Sequence, residues 1–142
     1  MLETSTSRSQ RFDSAEQEVY LNLWRTYDRL RSLEDALFGQ HDLTAQQYNA
    51  MRLLRGAHPD RLATLDLAGR LISRAPDITR MLDRLDARGL IVRERLQEDR
   101  RSVLVGLTAA GMRLLAELDD QVRQCHRRQL GHLRPRELDS LK

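Results

Sequence analysis

The sequence has little of several residues on which whole classes of protein depend. Cys125 is its only cysteine, so no internal disulfide can hold the fold. The four histidines are scattered at positions 41, 58, 126 and 132, and no glycine-rich phosphate loop or Ser, His and Asp arrangement accompanies them. Cys125, His126 and His132 also lack a recognised zinc-ligand spacing. We therefore predict no catalytic site, no metal and no cofactor.

Long apolar runs are also missing. No stretch is long and apolar enough to cross a membrane, and the first 13 residues are too polar for a secretion signal. We therefore expect a cytoplasmic protein without a membrane partner. The low apolar content of residues 1–13 predicts a disordered tail, whereas residues 14–142 have the length of a single domain.

Lysine is nearly absent, since 23 of the 24 basic residues are arginine. We attribute this bias to the base composition of the genome rather than to function. The placement of the arginines is therefore more informative than their number. Between Arg70 and Arg101 there are nine arginines and six acidic residues, an excess of three positive charges that equals the formal net charge of the whole chain, +3. A basic patch confined to one segment favours a polyanionic partner.

Two short helices are predicted inside this basic segment. The second has apolar residues at the spacing of one buried helix face: Ile78, Met81, Leu82 and Leu85. Pro76 is tolerated only in a first turn, so this helix should begin near residues 74–76, and Gly89 should end it. The first helix spans residues 64–71, and its predicted inward residues are Leu65, Ala68, Leu71 and Ile72. Such a pair is typical of a helix-turn-helix, whose second helix enters the major groove.

A β-hairpin is predicted directly after the second helix. Residues 90–96 and 103–107 are rich in leucine and β-branched residues. Val103, Val105 and Leu107 alternate with Ser102, Leu104 and Gly106, as in a half-buried strand. The loop between the strands carries Arg100 and Arg101 at its end. A narrow cationic tip suits the minor groove, and Asp99 can aim Arg101 through a bidentate pair.

Longer helices flank this unit on both sides. The first is predicted from Ser14 to Gly39, and the second begins at a capping box formed by Thr44 and Gln47. A long helix follows Thr108, and a last helix begins at Pro135. Their apolar faces exceed what a winged unit can cover, which predicts a helical dimer interface. The tryptophan and tyrosines of the first helix are interpreted as core residues rather than as the walls of a ligand site.

Four segments together resemble the MarR family of bacterial transcription regulators: DITRMLDRL at 77–85, Arg88-Gly89-Leu90-Ile91, Asp99-Arg100-Arg101, and Leu107-Thr108 followed by Gly111. The resemblance extends from about Ser14 over nearly the whole chain. It implies a winged helix-turn-helix homodimer that binds a palindromic operator in double-stranded DNA and is often released by a small-molecule effector. By position, it makes residues 74–88 the recognition helix and residues 90–107 the wing, with the Asp-x-Arg motif of the family at Asp99 and Arg101.

The predicted fold is mainly α with a small β-hairpin wing. Residues 44–107 should form the DNA-binding lobe, and residues 14–40 and 108–142 the dimerisation helices. The residues expected to bind DNA are Arg74, Pro76, Thr79, Arg80, Arg84, Asp99, Arg100 and Arg101. Those expected at a ligand cleft are Trp24, Tyr27 and Tyr48.

The predicted function is a sequence-specific transcription regulator, most readily a repressor. Two alternatives stay open at this stage. Arg80 and Arg84 could belong to a solvated helix face paired with Asp77 and Asp83. The whole unit could also be a winged-helix interaction module that has lost DNA binding, although the positive charge retained on helix and hairpin argues against it.

Overall fold

The computed structural model describes residues 12–72, 77–99 and 102–142. Its elements in chain order are α1 (Ala15–Gly39), α2 (Ala45–Ala57), β1 (Leu62–Ala63), α3 (Thr64–Arg70), α4 (Ile78–Ala87), β2 (Ile91–Arg95), β3 (Val103–Leu107), α5 (Ala109–Leu130) and α6 (Pro135–Leu141). The predicted fold class is confirmed. None of the described helices is long and apolar enough to span a bilayer.

Side-chain caps set the starts of three long helices. The Ser14 hydroxyl accepts a hydrogen bond from the backbone of Gln17 at the start of α1. Thr44 and Gln47 form the predicted reciprocal capping box of α2, and Thr108 caps α5. Each cap satisfies amide donors that the first turn leaves without a helical partner, and stabilises the helix by about 1 kcal/mol.

The helix α4 begins later than predicted. Its N-cap is Asp77, whose carboxylate accepts the amide of Arg80 at 2.9 Å, so the helix starts at Ile78 and not near residues 74–76. An aspartate that satisfies these amides defines a helix start better than a proline, which is merely tolerated there. Pro76 itself lies outside the described residues. Gly89 follows the C-cap with a φ of 69°, which confirms the predicted end.

The sheet has one strand more than the predicted hairpin. Strand β3 lies between β1 and β2, antiparallel to both, with Val105 opposite Leu62 on one side and Arg93 on the other. A two-residue strand such as β1 is too short for a periodic signal. Val105, Gly106 and Leu107 are all buried, so the alternation predicted for β3 is wrong at Gly106.

The buried face of α3 also differs from the prediction. Leu67 is fully buried, whereas Leu65 and Ile72 are 85% and 87% exposed. In a seven-residue helix the apolar spacing fits either the set Leu67 and Leu71 or the set Leu65 and Ile72. Packing of α3 against α2 and the sheet selects the first set.

The hydrophobic core lies beneath the sheet, between α2, α4 and α5. Its largest fully buried side chains are Met51, Leu54, Leu67, Leu82, Leu85, Val105, Leu115 and Leu118. Phe38 is the buried residue that α1 contributes. The interpretation of the tryptophan and tyrosines of α1 as core is wrong for the single chain, because Tyr20 is 63% exposed and Trp24 and Tyr27 are each 61% exposed.

Candidate nucleic-acid interface

The outer face of α4 carries the polar residues that the sequence singled out. Thr79, Arg80 and Arg84 are exposed, on the side opposite the buried Met81 and Leu85. The Arg80 Nε lies 3.6 Å from an Asp77 carboxylate oxygen, yet its side chain is 71% exposed. Exposed pairs of this kind stabilise by at most about 1 kcal/mol, so the Arg80 guanidinium can turn toward another anion.

The helix itself has no excess of positive charge. Residues 77–88 contain three aspartates and three arginines. Successive residues advance by about 100° around the axis, so Asp83 and Asp86 lie toward one flank of the exposed face and Arg80 and Arg84 toward the other. An anion approaching the face therefore meets an arginine flank and an aspartate flank.

An arginine from β2 pairs with the aspartate flank. Arg93 Nη1 donates to Asp83 at 2.7 Å, and its Nε and Nη2 both donate to one oxygen of Asp86, at 3.0 and 2.8 Å. We call this arrangement the Arg93 clasp. The hydrogen bonds that Arg93 donates to Asp83 and, to a lesser extent, to Asp86 raise the pKa of Arg93 above its ordinary value.

The clasp was not predicted from the sequence, although one signal points to it. Arg93 is two residues from Ile91, so the two side chains share a face of β2, and Ile91 is buried. A charged side chain on the inward face of a strand needs a counter-charge. The closest preceding acidic residues are those on α4.

The hairpin formed by β2 and β3 is the predicted wing. At its outer end the Asp99 carboxylate accepts a hydrogen bond from the Ser102 hydroxyl at 3.1 Å. Along β2, Arg61 donates to Glu94 at 2.6 Å. The predicted pairing of Asp99 with Arg101 lies outside the described residues, as do the predicted positions Arg74, Pro76, Arg100 and Arg101.

Two polar contacts connect the segment 44–107 to the turn between α1 and α2 and to α5. Arg88, at the end of α4, donates to the backbone carbonyls of Asp42 and His41, at 2.7 and 3.1 Å. Arg55 on α2 donates to both oxygens of Asp119 on α5, at 2.9 and 3.1 Å. Both contacts join residues more than 40 positions apart, so short-range sequence patterns do not reveal them.

A cavity of about 520 Å³ lies among α1, α2 and α5. Of the three residues expected at a ligand cleft, Tyr27 and Tyr48 line this cavity together with Phe38 and Arg52, whereas Trp24 is not among its lining residues. The Tyr48 ring stacks on Phe38 with the ring centroids 4.5 Å apart. Burial raises the pKa of the Tyr48 hydroxyl, although the nearby positive charge of Arg55 acts in the opposite direction.

Cys125 is buried on α5 beside the same cavity. Burial raises the pKa of its thiol, the charge of Glu34 adds to the effect, and Arg128 partly offsets it. Among the described residues no group of three or more histidine, cysteine and acidic side chains could hold a metal ion.

We expect the Cys125 thiol to react with a disulfide reagent about tenfold more slowly at pH 8 in the folded protein than in the chain unfolded by guanidinium. The thiolate is the reactive form, and a raised pKa leaves less of it at this pH. The rate should be followed by the absorbance of the released aromatic thiol from pH 7 to 10. The midpoint of the folded protein should lie above that of the unfolded chain, and coincident midpoints would contradict the effect of burial.

Comparison with known proteins places these features among transcription regulators. A profile of the MarR family matches residues 43–103. A MarR transcription factor from Planctomyces limnophilus, known from its crystal structure, is 58% identical in sequence to this chain. The two structures match with a TM-score of 0.76 over 92% of this chain and 95% of that one. The HTH-type transcriptional regulator FarR of Neisseria gonorrhoeae is 31% identical over 104 residues, which are 73% of this chain and 70% of FarR.

A third similar protein is BpsR of Bordetella bronchiseptica, whose structure is described as a mechanism for the regulation of DNA binding by 6-hydroxynicotinic acid. It is 27% identical, with a TM-score of 0.78, and the match covers 87% of this chain and 92% of that one.

Proposed function

The chain belongs to the MarR family of non-enzymatic, DNA-binding transcription regulators, and from that premise we propose that it is a homodimeric repressor of a palindromic operator. One observation carries the proposal. One flank of the exposed face of α4 carries Arg80 and Arg84, and the Arg93 clasp holds a β-hairpin against the aspartate flank of the same helix. A helix and a hairpin fixed together suit adjacent major and minor grooves.

In this proposal α4 is the recognition helix. Arg80 and Arg84 reach base edges or phosphates, and Thr79 contributes a hydroxyl beside them. Their exposure and their position opposite the buried face support this assignment. An arginine that meets guanine in the major groove can bind it through two hydrogen bonds, the commonest specific contact between side chains and DNA bases.

The wing supplies the second set of contacts. We assign Arg101 and Arg100 to the minor groove, with Asp99 orienting Arg101, and we assign Arg74 and Pro76 to the approach of α4 to the DNA. These assignments rest on the order and type of the residues in the sequence. Arginine is attracted to a narrow minor groove by its strong negative potential.

We assign the homodimer interface to residues 14–40 and 108–142, and the DNA-binding lobe to residues 44–107. Five large apolar side chains on α1 are 59–64% exposed in the single chain: Val19, Tyr20, Leu23, Trp24 and Tyr27. A contiguous apolar face of this kind is typical of a protein interface. A two-fold dimer presents two recognition helices about one turn of DNA apart, which is why the operator should be palindromic.

The cavity between α1, α2 and α5 is the proposed effector site. Its aromatic side chains, Tyr27, Phe38 and Tyr48, suit a flat apolar ring, and Arg52 suits an acidic group. The control of BpsR by 6-hydroxynicotinic acid supports an aromatic acid as the class of ligand. The cavity adjoins the Arg55–Asp119 pair through Tyr48, whose pKa responds to both charges.

In this proposal, repression results when the dimer occupies its operator. A dimer bound across an operator within a promoter excludes RNA polymerase from the same DNA, and an effector that lowers its affinity restores transcription. A protein with this role works in the cytoplasm, where the bacterial chromosome is.

The function is tested by titrating the purified protein against the DNA upstream of its own gene. The titration should be run in a salt series with unrelated DNA as competitor. We expect a complex that resists the competitor, contains two chains per site by light scattering, and weakens steeply with salt. Weak binding without sequence preference, both here and in a selection from random DNA, would favour the interaction-module alternative.

A further inference from the structure

We propose that Arg93 is a positioning residue for DNA recognition, which locks the wing against the recognition helix so that both meet DNA in one geometry. The inference rests on the proposed function, because it assumes that α4 and the wing bind DNA. It adds a residue that acts without touching DNA itself.

The geometry of the clasp is that of a rigid joint. Three of the five N–H donors of Arg93 are used, one on Asp83 and two on Asp86. The Arg93 side chain is only 28% exposed, less than either partner. A planar guanidinium held by two carboxylates has few orientations left, which distinguishes it from a flexible point charge.

The clasp provides a second point of attachment between helix and wing. The covalent connection from Ala87 to Ile91 fixes only the end of α4 to the start of β2. Asp83 lies about 6 Å farther back along the helix axis, and it is tied to the middle of β2. Two separated attachments prevent the hairpin from rotating about the short connection. The angle between the recognition helix and the wing is therefore fixed.

A simpler role for Arg93 would be charge neutralisation. Asp83 lies on the exposed face of α4, where its charge would repel DNA phosphates, and Arg93 offsets it. The two roles predict opposite results. If charge alone matters, Arg93→Lys should bind like wild type, and removing both aspartates should strengthen binding to any DNA. If position matters, both changes should weaken recognition of the operator.

The experiment compares Arg93→Lys, the double variant Asp83→Ala/Asp86→Ala, and wild type as dimers. The readout is the ratio of operator affinity to affinity for unrelated DNA, which a uniform electrostatic effect does not change. We expect this ratio to fall about tenfold or more in both variants. Glu94→Gln is the matched control. Glu94 lies on the same strand as Arg93, and its replacement weakens the ion pair with Arg61 but leaves the contacts of Arg93 with Asp83 and Asp86 in place. Its ratio should stay within about twofold of wild type.

A salt series with Arg93→Gln separates positioning from direct contact. We expect the dependence of affinity on salt to keep the wild-type slope, since a residue that does not touch phosphate releases no counterions. A slope lower by about one for each subunit would identify Arg93 as a phosphate contact and overturn the proposal. An unchanged affinity ratio in both clasp variants would overturn it equally.

Amide hydrogen exchange of the free protein tests the clasp without DNA. Exchange in residues 91–95 and 103–107 should be faster in Arg93→Lys than in wild type, while α5 keeps its protection. Equal exchange in the two proteins would refute the clasp as a joint. If wild type itself has no preferred DNA sequence, the proposed function fails, whereas the exchange result still decides whether Arg93 holds the wing.

Discussion

Replacing Gly111 with alanine is expected to destabilise the folded protein by on the order of 3 kcal/mol and to lower its melting temperature by roughly 10 °C. Gly111 lies in the first turn of α5, where a β-carbon would be 2.3 Å from the carbonyl oxygen of Leu90. That oxygen cannot retreat freely, because it also accepts the amide of Thr108 at 3.1 Å. Backbone would have to move, and the junction of wing and α5 would open.

Two other glycines provide matched controls. A β-carbon at Gly56 in α2 or at Gly69 in α3 would meet no atom of the described residues within 4 Å beyond its chain neighbours and the adjacent backbone of its own helix. Alanine at either helical position should be neutral or stabilising by up to about 1 kcal/mol, because alanine loses less backbone entropy in a helix than glycine does. The three variants should be compared by thermal unfolding monitored by circular dichroism. Equal melting of wild type and Gly111→Ala would show that the junction can relax.

The features that local chemistry determines were predictable from the sequence. The caps at Thr44 and Thr108 depend on residues within one helical turn, and so does the end of α4 at Gly89. The buried face of α4 also followed from its spacing, since a ten-residue helix samples nearly three turns. Within such elements the hydrogen-bond partners and the apolar period are both visible in a few consecutive residues.

Features that depend on tertiary packing were not predictable in the same way. Leu67 and Leu65 are equally apolar, and only the position of α2 decides which one of them is buried. Strand β1 forms because its two residues pair with the backbone at the edge of β3. Trp24 has the residue type and spacing of a core position, yet it is 61% exposed in the single chain.

The candidate site shows the same division. Exposure of Thr79, Arg80 and Arg84 follows from helix periodicity, so the sequence alone identifies the outer face of α4. The strand period places Arg93 on the same face of β2 as the buried Ile91, but its pairing with Asp83 and Asp86 also requires the angle at which β2 leaves α4. A residue that fixes the relative orientation of two elements is recognised only when that orientation is known.

Single arginine substitutions should separate the two halves of the proposed interface. Arg80→Ala should lower operator affinity and reduce discrimination at one base pair of each half-site by about 1–3 kcal/mol, because a specific base contact is lost. Arg101→Ala should weaken binding to operator and unrelated DNA alike. For the dimer it should lower the salt slope by about two, one for each subunit.

The separation depends on comparing three measurements on the same variants: operator affinity, affinity for single-base-pair changes in the operator, and the salt slope. Arg123→Ala is the charge-matched control, since its exposed side chain lies on α5, outside the DNA-binding lobe, and pairs with Asp120; it serves as the control once light scattering shows that it forms the same dimer as wild type. It removes one positive charge per chain, as the test variants do, so its effect measures the contribution of net charge alone. If Arg80→Ala and Arg101→Ala bound operator as the control does, neither α4 nor the wing would be the DNA-binding surface. If Arg101→Ala instead lost discrimination between base pairs but kept the wild-type salt slope, the roles of helix and wing would be exchanged. A lost base contact changes discrimination between sequences, whereas a lost phosphate contact changes the salt slope.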